Sequence, residues 1–262
     1  MTLLTRLILL AALLPGVARA EMTEITVAEQ YGVSILPLMV MERMGLAEKH
    51  ARAAGIEGLK VNWVQVAGPS VMNDGLVSGA VQFAAQGAPS LITLWDKTRR
   101  NVGVKGVAAI TIYPLYLITR NPAIRTIRDF TDADKIAVPS VKISTQAIML
   151  QMAAAEAFGD AEYGRLDPYT ISLSHPDAVA ALSSNAAGVN AHFSSSPFYE
   201  QEAKLPGVRL ITTNYDILGG PATALTLLAS SRFRDANPRV FRAFYDGMAE
   251  AIDIINRDKP AA

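Results

Sequence analysis

The chain has 262 residues, of which 50% are hydrophobic and 18% are charged, and its 24 basic residues balance its 24 acidic residues. This length allows one large domain or two modest lobes with a buried core, and the zero formal charge argues against nucleic acid as a partner. The absence of cysteine excludes disulfides, thiolate nucleophiles and cysteine-based metal sites.

The first twenty residues have the three-part pattern of a secretory signal peptide. Arg6 precedes an apolar run over residues 7–14, a Pro-Gly pair follows, and Ala18-Arg19-Ala20 forms an A-x-A cleavage site. The run is shorter than the roughly 20 apolar residues that span a bilayer. We therefore predict a periplasmic protein that is cleaved after Ala20. The alternative is an apolar N-terminal helix in a cytosolic protein.

Strand-like and helix-like patterns then alternate in a first block, over residues 25–112. Strands are predicted from apolar runs and from apolar–polar alternation, and helix ends from prolines in a first turn and from glycines after an apolar stripe. The predicted strands cover residues 25–29, 59–66 and 81–85, and residues 102–119 are mostly extended. Predicted helices begin at Leu36, Leu46, Val71 and Pro89.

The same alternation returns in a second block, over residues 135–212. Its predicted strands cover 136–138, 169–173, 189–193 and 208–212, and its predicted helices cover 145–158 and begin again at Pro176 and near Pro197. A further strand over 224–228 and a long helix from Pro238 complete the chain.

Two α/β blocks predict two lobes, each with a mostly parallel sheet flanked by helices. Extended chain near 113–120 and 213–223 predicts two hinge crossings between them. The expected division is a signal peptide over 1–20, a first lobe over 21–115 plus 220–262, and a second lobe over 116–219.

Four strand-to-helix junctions share a small, polar or glycine-rich composition. In open α/β sheets, ligands bind beyond the carboxyl ends of the strands, where the free N–H groups of helix first turns point. One such junction is usually only a helix cap. Two in each block favour a shared ligand cleft. The junctions are Gly68-Pro69-Ser70, Gln86-Gly87-Ala88-Pro89, the elbow Ser140 to Gln146, and His192-Phe193-Ser194-Ser195-Ser196-Pro197.

Catalytic and metal-binding motifs are not found in the sequence. There is no G-x-S-x-G, no phosphate loop ending in GK[ST], and no H-x-x-x-H spacing, so we predict neither catalytic residues nor a metal or cofactor. Two residues keep open alternatives. His192 is either a structural hydrogen-bonding residue or a ligand contact, and Tyr31 is either a stacking wall or a core aromatic.

Several stretches together resemble the soluble binding proteins of nitrate, sulfonate and taurine ABC importers, a superfamily that also includes binders of thiamine-pyrimidine precursors. The resemblance covers nearly all of the chain after the signal and is specific for the superfamily, not for a ligand. The stretches are ITVAEQYG, WVQVAGPSVMNDGLVSGAVQFAAQGAPSLI, PLYLITRNPAIRTIRDF, KIAVPSVKISTQ and the final long helix with INRD.

The resemblance implies a two-lobed clamp of the periplasmic-binding-protein fold, type II-like, that captures a small polar or anionic ligand and delivers it to an ABC importer permease, as a monomer without a cofactor. The alternatives are a same-fold enzyme of the pyrimidine-synthase type, which needs Lys142 and His192, and an exported ligand sensor. This chain ends at Ala262, soon after the long helix, whereas relatives usually continue, so it is either a short member or truncated. The implied ligand contacts are Gln30, Tyr31, Gly68, Pro69, Ser70, Gln86, Gly87, Ala88, Lys142, Ser144, Thr145, Gln146, His192, Phe193 and Ser194.

Overall fold

The computed structural model describes residues 20–184 and 186–257, so the predicted signal segment up to Arg19 lies outside the described residues. The strands are β1 (Glu24–Glu29), β2 (Lys60–Gln65), β3 (Phe83–Gln86), β4 (Val104–Thr111), β5 (Leu115–Thr119), β6 (Ile136–Val138), β7 (Thr170–Ser172), β8 (Ala191–Ser195), β9 (Arg209–Thr213) and β10 (Leu225–Ser230). The helices are α1 (Leu36–Met44), α2 (Leu46–Ala53), α3 (Pro69–Ser78), α4 (Ala88–Thr98), α5 (Thr145–Phe158), α6 (His175–Ser184), α7 (Phe198–Glu202), α8 (Asn214–Leu218), α9 (Ser231–Ala236) and α10 (Pro238–Arg257).

Two five-stranded sheets confirm the predicted α/β architecture. The first has the order β2-β1-β3-β10-β4 and the second has the order β7-β6-β8-β5-β9. In each sheet a single strand runs against the other four, namely β10 in the first and β5 in the second. These two strands are the first that the chain forms after each crossing between the sheets.

Helices cover both faces of the first sheet, because its inner strands are apolar on both sides. Val27 faces the layer of α1, α2 and α10, where Phe83 stacks on Phe244 with ring centroids 3.9 Å apart. The adjacent Ala28 faces the opposite layer, where it packs with Met72 of α3. The carboxyl ends of β1 and β3 therefore lie between two helical layers, beside the start of α3 and α4.

Residues 112–114 connect the two sheets, and a second connection runs through α8 and residues 219–224. Leu115, placed in the first lobe from the sequence, is the first residue of β5 in the second sheet, where it pairs with Ser195. Tyr113 packs against the hydrophobic cores of both sheets, and burial raises its pKa to about 12. The side chain of Asn214 binds this connection on both sides, because its Oδ1 accepts from Leu115 N at 2.8 Å and its Nδ2 donates to Tyr113 O at 3.4 Å.

Within residues 20–184 and 186–257, no helix combines the length and the apolarity that crossing a membrane requires.

Candidate ligand-binding cleft

Three helices begin at the interface between the sheets, each directly after a strand or a short loop. Helices α3 and α4 carry proline in their first turn, where a missing N–H costs nothing. Helix α5 has Ser144 as its N-cap, whose Oγ accepts from Ala147 N at 3.2 Å. The remaining first-turn N–H groups have no intrahelical acceptor, so this interface offers donors and the positive ends of three helix dipoles.

Hydrogen bonds join the two lobes at this interface. Ser70 Oγ donates to Ser140 Oγ at 3.2 Å, and Ser90 Oγ donates to the carbonyl of Ile143 at 3.0 Å. At the other end of the interface, Val33 N donates to the carbonyl of Ser196 at 3.4 Å. The elbow of the second lobe therefore lies against both predicted junctions of the first lobe. The fourth predicted junction lies instead against Gly32 and Val33, which are in none of the four.

Two glycines allow this close approach. A β-carbon on Gly68 would lie 2.6 Å from Ser140 Oγ and would overlap the carbonyl of Pro139. A β-carbon on Gly87 would overlap the hydroxyl of Thr145. Neither glycine has a left-handed φ, so the lack of a side chain, and not a special backbone conformation, is what these positions require.

The elbow residues have different environments. Lys142 is exposed and has a left-handed φ of 64°. Thr145 lies at the interface, against Gly87. Gln146 is buried within the second lobe, where its Nε2 donates to His175 Nε2 at 3.3 Å. Of the three, Thr145 is the residue that faces the first lobe.

His192 belongs to a buried chain of hydrogen bonds. Because the amide nitrogen of Gln146 can only donate to His175 Nε2, the proton of His175 is on Nδ1, which donates to His192 Nε2 at 2.9 Å. His192 then donates from Nδ1 to Glu202 Oε1 at 2.6 Å. His192 and Glu202 are fully buried, and burial together with His192 holds the pKa of His175 well below its ordinary value. Both ring nitrogens of His192 have structural partners, so it has no free atom for a ligand.

Phe193 and Ser194 point to opposite faces of β8. Phe193 is buried in the core of the second lobe with Leu117 and Ile136, so its ring is not available as the ligand contact that the resemblance implies. Ser194 is also fully buried, and its hydroxyl has no hydrogen-bond partner among the described residues.

The first-lobe side chains near the cleft include two polar groups without full partners. Gln86 is fully buried, and neither its Oε1 nor its Nε2 has a partner among the described residues. Glu29 is 3% exposed with an unpartnered Oε2, and burial, together with the charge of Glu42, raises its pKa to about 7. Gln30 and Tyr31 follow it as half-buried residues, and the next residue, Gly32, contacts the Ser196 carbonyl.

An apolar groove of about 440 Å³ begins beside Ala88, Pro89 and Thr145 and runs between α4, α5, α8 and residues 222–224. Ile92 and Met152 line it while remaining 65% and 41% exposed. This groove was not predicted, because its walls come from both lobes and no single stretch of sequence identifies it.

His175, Glu202, Gly32 and Ser90 are further residues of the interface and its support that sequence reasoning did not select. A weak signal existed for His175, because it directly precedes the proline from which the sequence predicts a helix. Among the described residues, no group of three or more His, Asp or Glu side chains could hold a metal ion.

No protein-family model matches the sequence, and no curated protein matches it either. Solved structures do match, and they share the two-lobed periplasmic-binding-protein fold. The alkanesulfonate-binding protein of Xanthomonas axonopodis pv. citri, bound to MOPS, is 18% identical with a TM-score of 0.68, covering 92% of this chain and 77% of that one.

Two further matches are a second sulfonate-binding protein and a nitrate-binding protein. The periplasmic aliphatic sulphonate-binding protein of Escherichia coli is 18% identical with a TM-score of 0.60, covering 91% of this chain and 74% of that one. The periplasmic nitrate-binding protein of Synechocystis PCC 6803 is 18% identical with a TM-score of 0.66, covering 88% and 61%. At these identities the comparisons establish the fold of this chain, in agreement with the resemblance inferred from its sequence.

Proposed function

We propose that this chain is an exported solute-binding protein that closes its two lobes on a small polar or anionic ligand and delivers it to an ABC importer. The observation that carries the proposal is the meeting of three helix N-termini, those of α3, α4 and α5, at one interface between two hinged sheets. Helix first turns supply unpaired donors to acceptor groups of a ligand, and hinge closure is a common way to enclose one.

The proposed ligand contacts are taken from the junctions that meet at this interface. In the first lobe they are Gly68, Pro69, Ser70, Gln86, Gly87 and Ala88, with Gln30 and Tyr31 at one end. In the second lobe they are Thr145 and Ser194, with Lys142 as a charge at the rim. Ser144 and Gln146 support the start of α5. The lobes are proposed to comprise 21–114 plus 220–262 and 115–219, which moves Leu115 from the first lobe, where the sequence placed it, to the second.

Export is the second component of the proposal, and it rests on the A-x-A pattern at Ala18-Arg19-Ala20. Intact mass and N-terminal sequencing of protein from the periplasm should give a chain that starts at Glu21. Protein that starts at Met1 and stays in the cytosol would contradict export.

Small-angle scattering tests lobe closure directly. The radius of gyration should fall when a ligand binds, and nitrate, methanesulfonate and butanesulfonate are reasonable first probes because structural neighbours bind nitrate or sulfonates. A molecule that co-purifies from the periplasm extends this panel. An unchanged radius of gyration at saturating ligand would contradict the clamp.

The same-fold enzyme gains no support from the site. It would need Lys142 and His192 to reach one cofactor, yet Lys142 is exposed and His192 is fully buried with both nitrogens bonded. Incubation with pyridoxal phosphate followed by an absorbance scan should give no imine band. Neighbouring genes would distinguish an importer from a sensor role. A permease gene is expected beside a monomeric solute-binding protein, whereas a membrane-receptor gene is expected beside a sensor.

A further inference from the structure

Two buried glutamines lie at opposite ends of β3, and they differ in whether their side-chain amides are hydrogen-bonded. Gln82 directly precedes the strand and Gln86 is its last residue, and their exposed fractions are 5% and 0%. The amide of Gln82 is fully used, because its Oε1 accepts from Thr26 N and its Nε2 donates to the Gly79 carbonyl, both at 2.7 Å. The amide of Gln86 has no partner at either atom among the described residues.

The unpartnered amide lies at the ligand end of the sheet. Gln82 is at the amino end of β3, whereas Gln86 is at the carboxyl end, where α/β sheets bind ligands. Side chains alternate along a strand, and Ala84 packs with Met72 of α3 and Leu94 of α4, so Gln86 points to this same layer. Its side chain therefore lies beneath the first turns of α3 and α4.

The backbone that carries the Gln86 side chain is held in place on both sides of the residue. The Gln86 carbonyl accepts from Thr226 Oγ1 at 2.8 Å, and the next residue, Gly87, is held against Thr145. A buried amide without partners opposes folding, and most buried polar groups are paired. A residue that keeps such a group at the carboxyl edge of a sheet is suited to pair with something that enters the cleft.

We propose that Gln86 recognises the ligand through both atoms of its amide, so the ligand presents an adjacent donor and acceptor, as a carboxamide, lactam or urea group does. This inference rests on the proposed solute-binding function and narrows its ligand class. An oxyanion presents only acceptors to the cleft, so it would satisfy Nε2 and leave Oε1 unpaired beside a negative charge.

The charges of the junctions agree with this ligand class. Across the four junctions Lys142 is the one cation, and it is exposed. A ligand headed by a neutral amide needs no buried cation, whereas a sulfonate or nitrate head would have only helix N-termini and hydroxyls to neutralise it. The buried hydroxyl of Ser194 adds another neutral hydrogen-bonding group on the second lobe.

Replacement of each glutamine by methionine, which is similar in size and apolar, tests the inference. Protein is unfolded, dialysed and refolded to remove bound molecules, and its stability is measured by urea unfolding. We expect Gln86→Met to be at least as stable as wild type, because it removes an unpaired amide. Gln82→Met should be less stable, because it leaves Thr26 N and the Gly79 carbonyl unpaired. Equal destabilisation by both would show that Gln86 is satisfied within the folded protein, and would overturn the inference.

Ligand recognition is measured on protein purified from the periplasm without unfolding. Native mass spectrometry should find a small molecule with an amide-like edge on wild type and on Gln82→Met, and about 5- to 150-fold weaker retention on Gln86→Met. Retention by Gln86→Met at the wild-type level, or a retained oxyanion without such an edge, would overturn the inference and leave the proposed function standing. Wild-type protein that retains nothing and does not compact with any probe would contradict both.

Three probes that share one ring separate the head groups. Nicotinamide, nicotinate and pyridine-3-sulfonate differ only in carrying a carboxamide, a carboxylate or a sulfonate, and calorimetric titration compares them on wild type and Gln86→Met. We expect nicotinamide to bind wild type most tightly and to lose this advantage on Gln86→Met. A preference for either anion, or three affinities that Gln86→Met leaves unchanged, would count against the inference.

Discussion

Gly87 of the first lobe and Thr145 of the second lie so close that a β-carbon on residue 87 would overlap the threonine hydroxyl and come within 3.1 Å of its β-carbon. The contact joins the first residue before α4 to the first residue of α5. Since opening of the lobes would separate the two residues, their contact is a measure of the closed state.

Gly87→Ala should therefore disfavour closure without harming either lobe. Overpacking at a tight contact costs about 1–3 kcal/mol, and here it applies only to the closed form, so ligand affinity should fall about 5- to 150-fold. Scattering should show less compaction with ligand, while the melting temperature of the ligand-free protein changes little. The matched control is Gly164→Ala, whose new β-carbon makes only an ordinary contact with Asp167.

The double variant Gly87→Ala/Thr145→Ala provides the internal check. It removes the hydroxyl that the new methyl group would overlap, so Gly87→Ala should lower affinity less in a Thr145→Ala background than in the wild-type background. If Gly87→Ala binds ligand as wild type does, the closed contact is not required for binding.

Variants of Ser144 and Thr145 should distinguish a helix-capping role from a ligand contact. Ser144→Ala removes the acceptor for Ala147 N and should lower the unfolding free energy by about 1 kcal/mol, whereas Ser144→Gly should cost only a few tenths. Both should leave affinity nearly unchanged, because the Ser144 hydroxyl is occupied within its own helix. Thr145→Ala should weaken binding with little change in melting temperature, and calorimetric titration of all three variants decides the matter.

The buried hydrogen bonds that link Gln146, His175, His192 and Glu202 should contribute to the stability of the fold and not to ligand affinity. Glu202→Leu removes the acceptor of the His192 Nδ1–H and should lower the unfolding free energy by about 1–3 kcal/mol. Glu202→Gln retains an acceptor oxygen and should cost less. Urea unfolding and titration on the same samples test this, and a selective loss of affinity would return His192 to the ligand site.

Glu29 should make stability fall as pH rises. Its pKa is about 7 in the folded protein against an ordinary value of 4.5, so between these values the folded state binds more protons than the unfolded state. The stability that protonation provides is complete below pH 4.5 and is lost as pH rises through 7. Glu29→Gln keeps the neutral form, and its advantage over wild type should grow by about 2 kcal/mol from pH 5.5 to pH 8.

Glu24→Gln is the control on the same strand, since Glu24 is exposed and its pKa is lowered by Asn62 and Lys60. It should gain nothing at pH 8. His175 acts with the opposite sign, because its depressed pKa makes the folded protein lose stability below pH 6.5. The unfolding free energies of wild type and variant are therefore compared with each other at each pH, because the pH dependence of either protein alone contains the His175 contribution. A pH-independent difference between Glu29→Gln and wild type would show that Glu29 ionises normally.

Local sequence patterns predicted most helices and strands correctly, because the residues that begin and end these elements lie next to them in the sequence. Helix α5 was predicted over 145–158 and is observed as Thr145–Phe158, since Ser144 caps one end and Gly159 follows the other. Strand β8 was predicted over 189–193 but is observed two residues later, as Ala191–Ser195. That shift moves the edge of the cleft from His192 to Ser195 and Ser196, and leaves His192 and Phe193 inside the lobe.

Contacts between distant residues could not be inferred from periodicity. Nothing near Gly87 indicates that Thr145 will face it, and nothing near His192 in β8 indicates that His175, at the start of α6, will be its hydrogen-bond partner. The sequence alone therefore predicts a cleft at these junctions, while the distinction between the residues that face the other lobe and those that support them needed the packing of both lobes.

The Asn214 side chain has a mechanical consequence. It holds the backbone on both sides of Pro114 in the first crossing, and it begins the helix that leads into the second crossing. Asn214 thereby links the two crossings, so we expect a change of backbone conformation in one crossing to be transmitted to the other. We therefore expect the proposed opening and closing of the lobes to be a rotation about one axis near Asn214, with little twist of one lobe against the other.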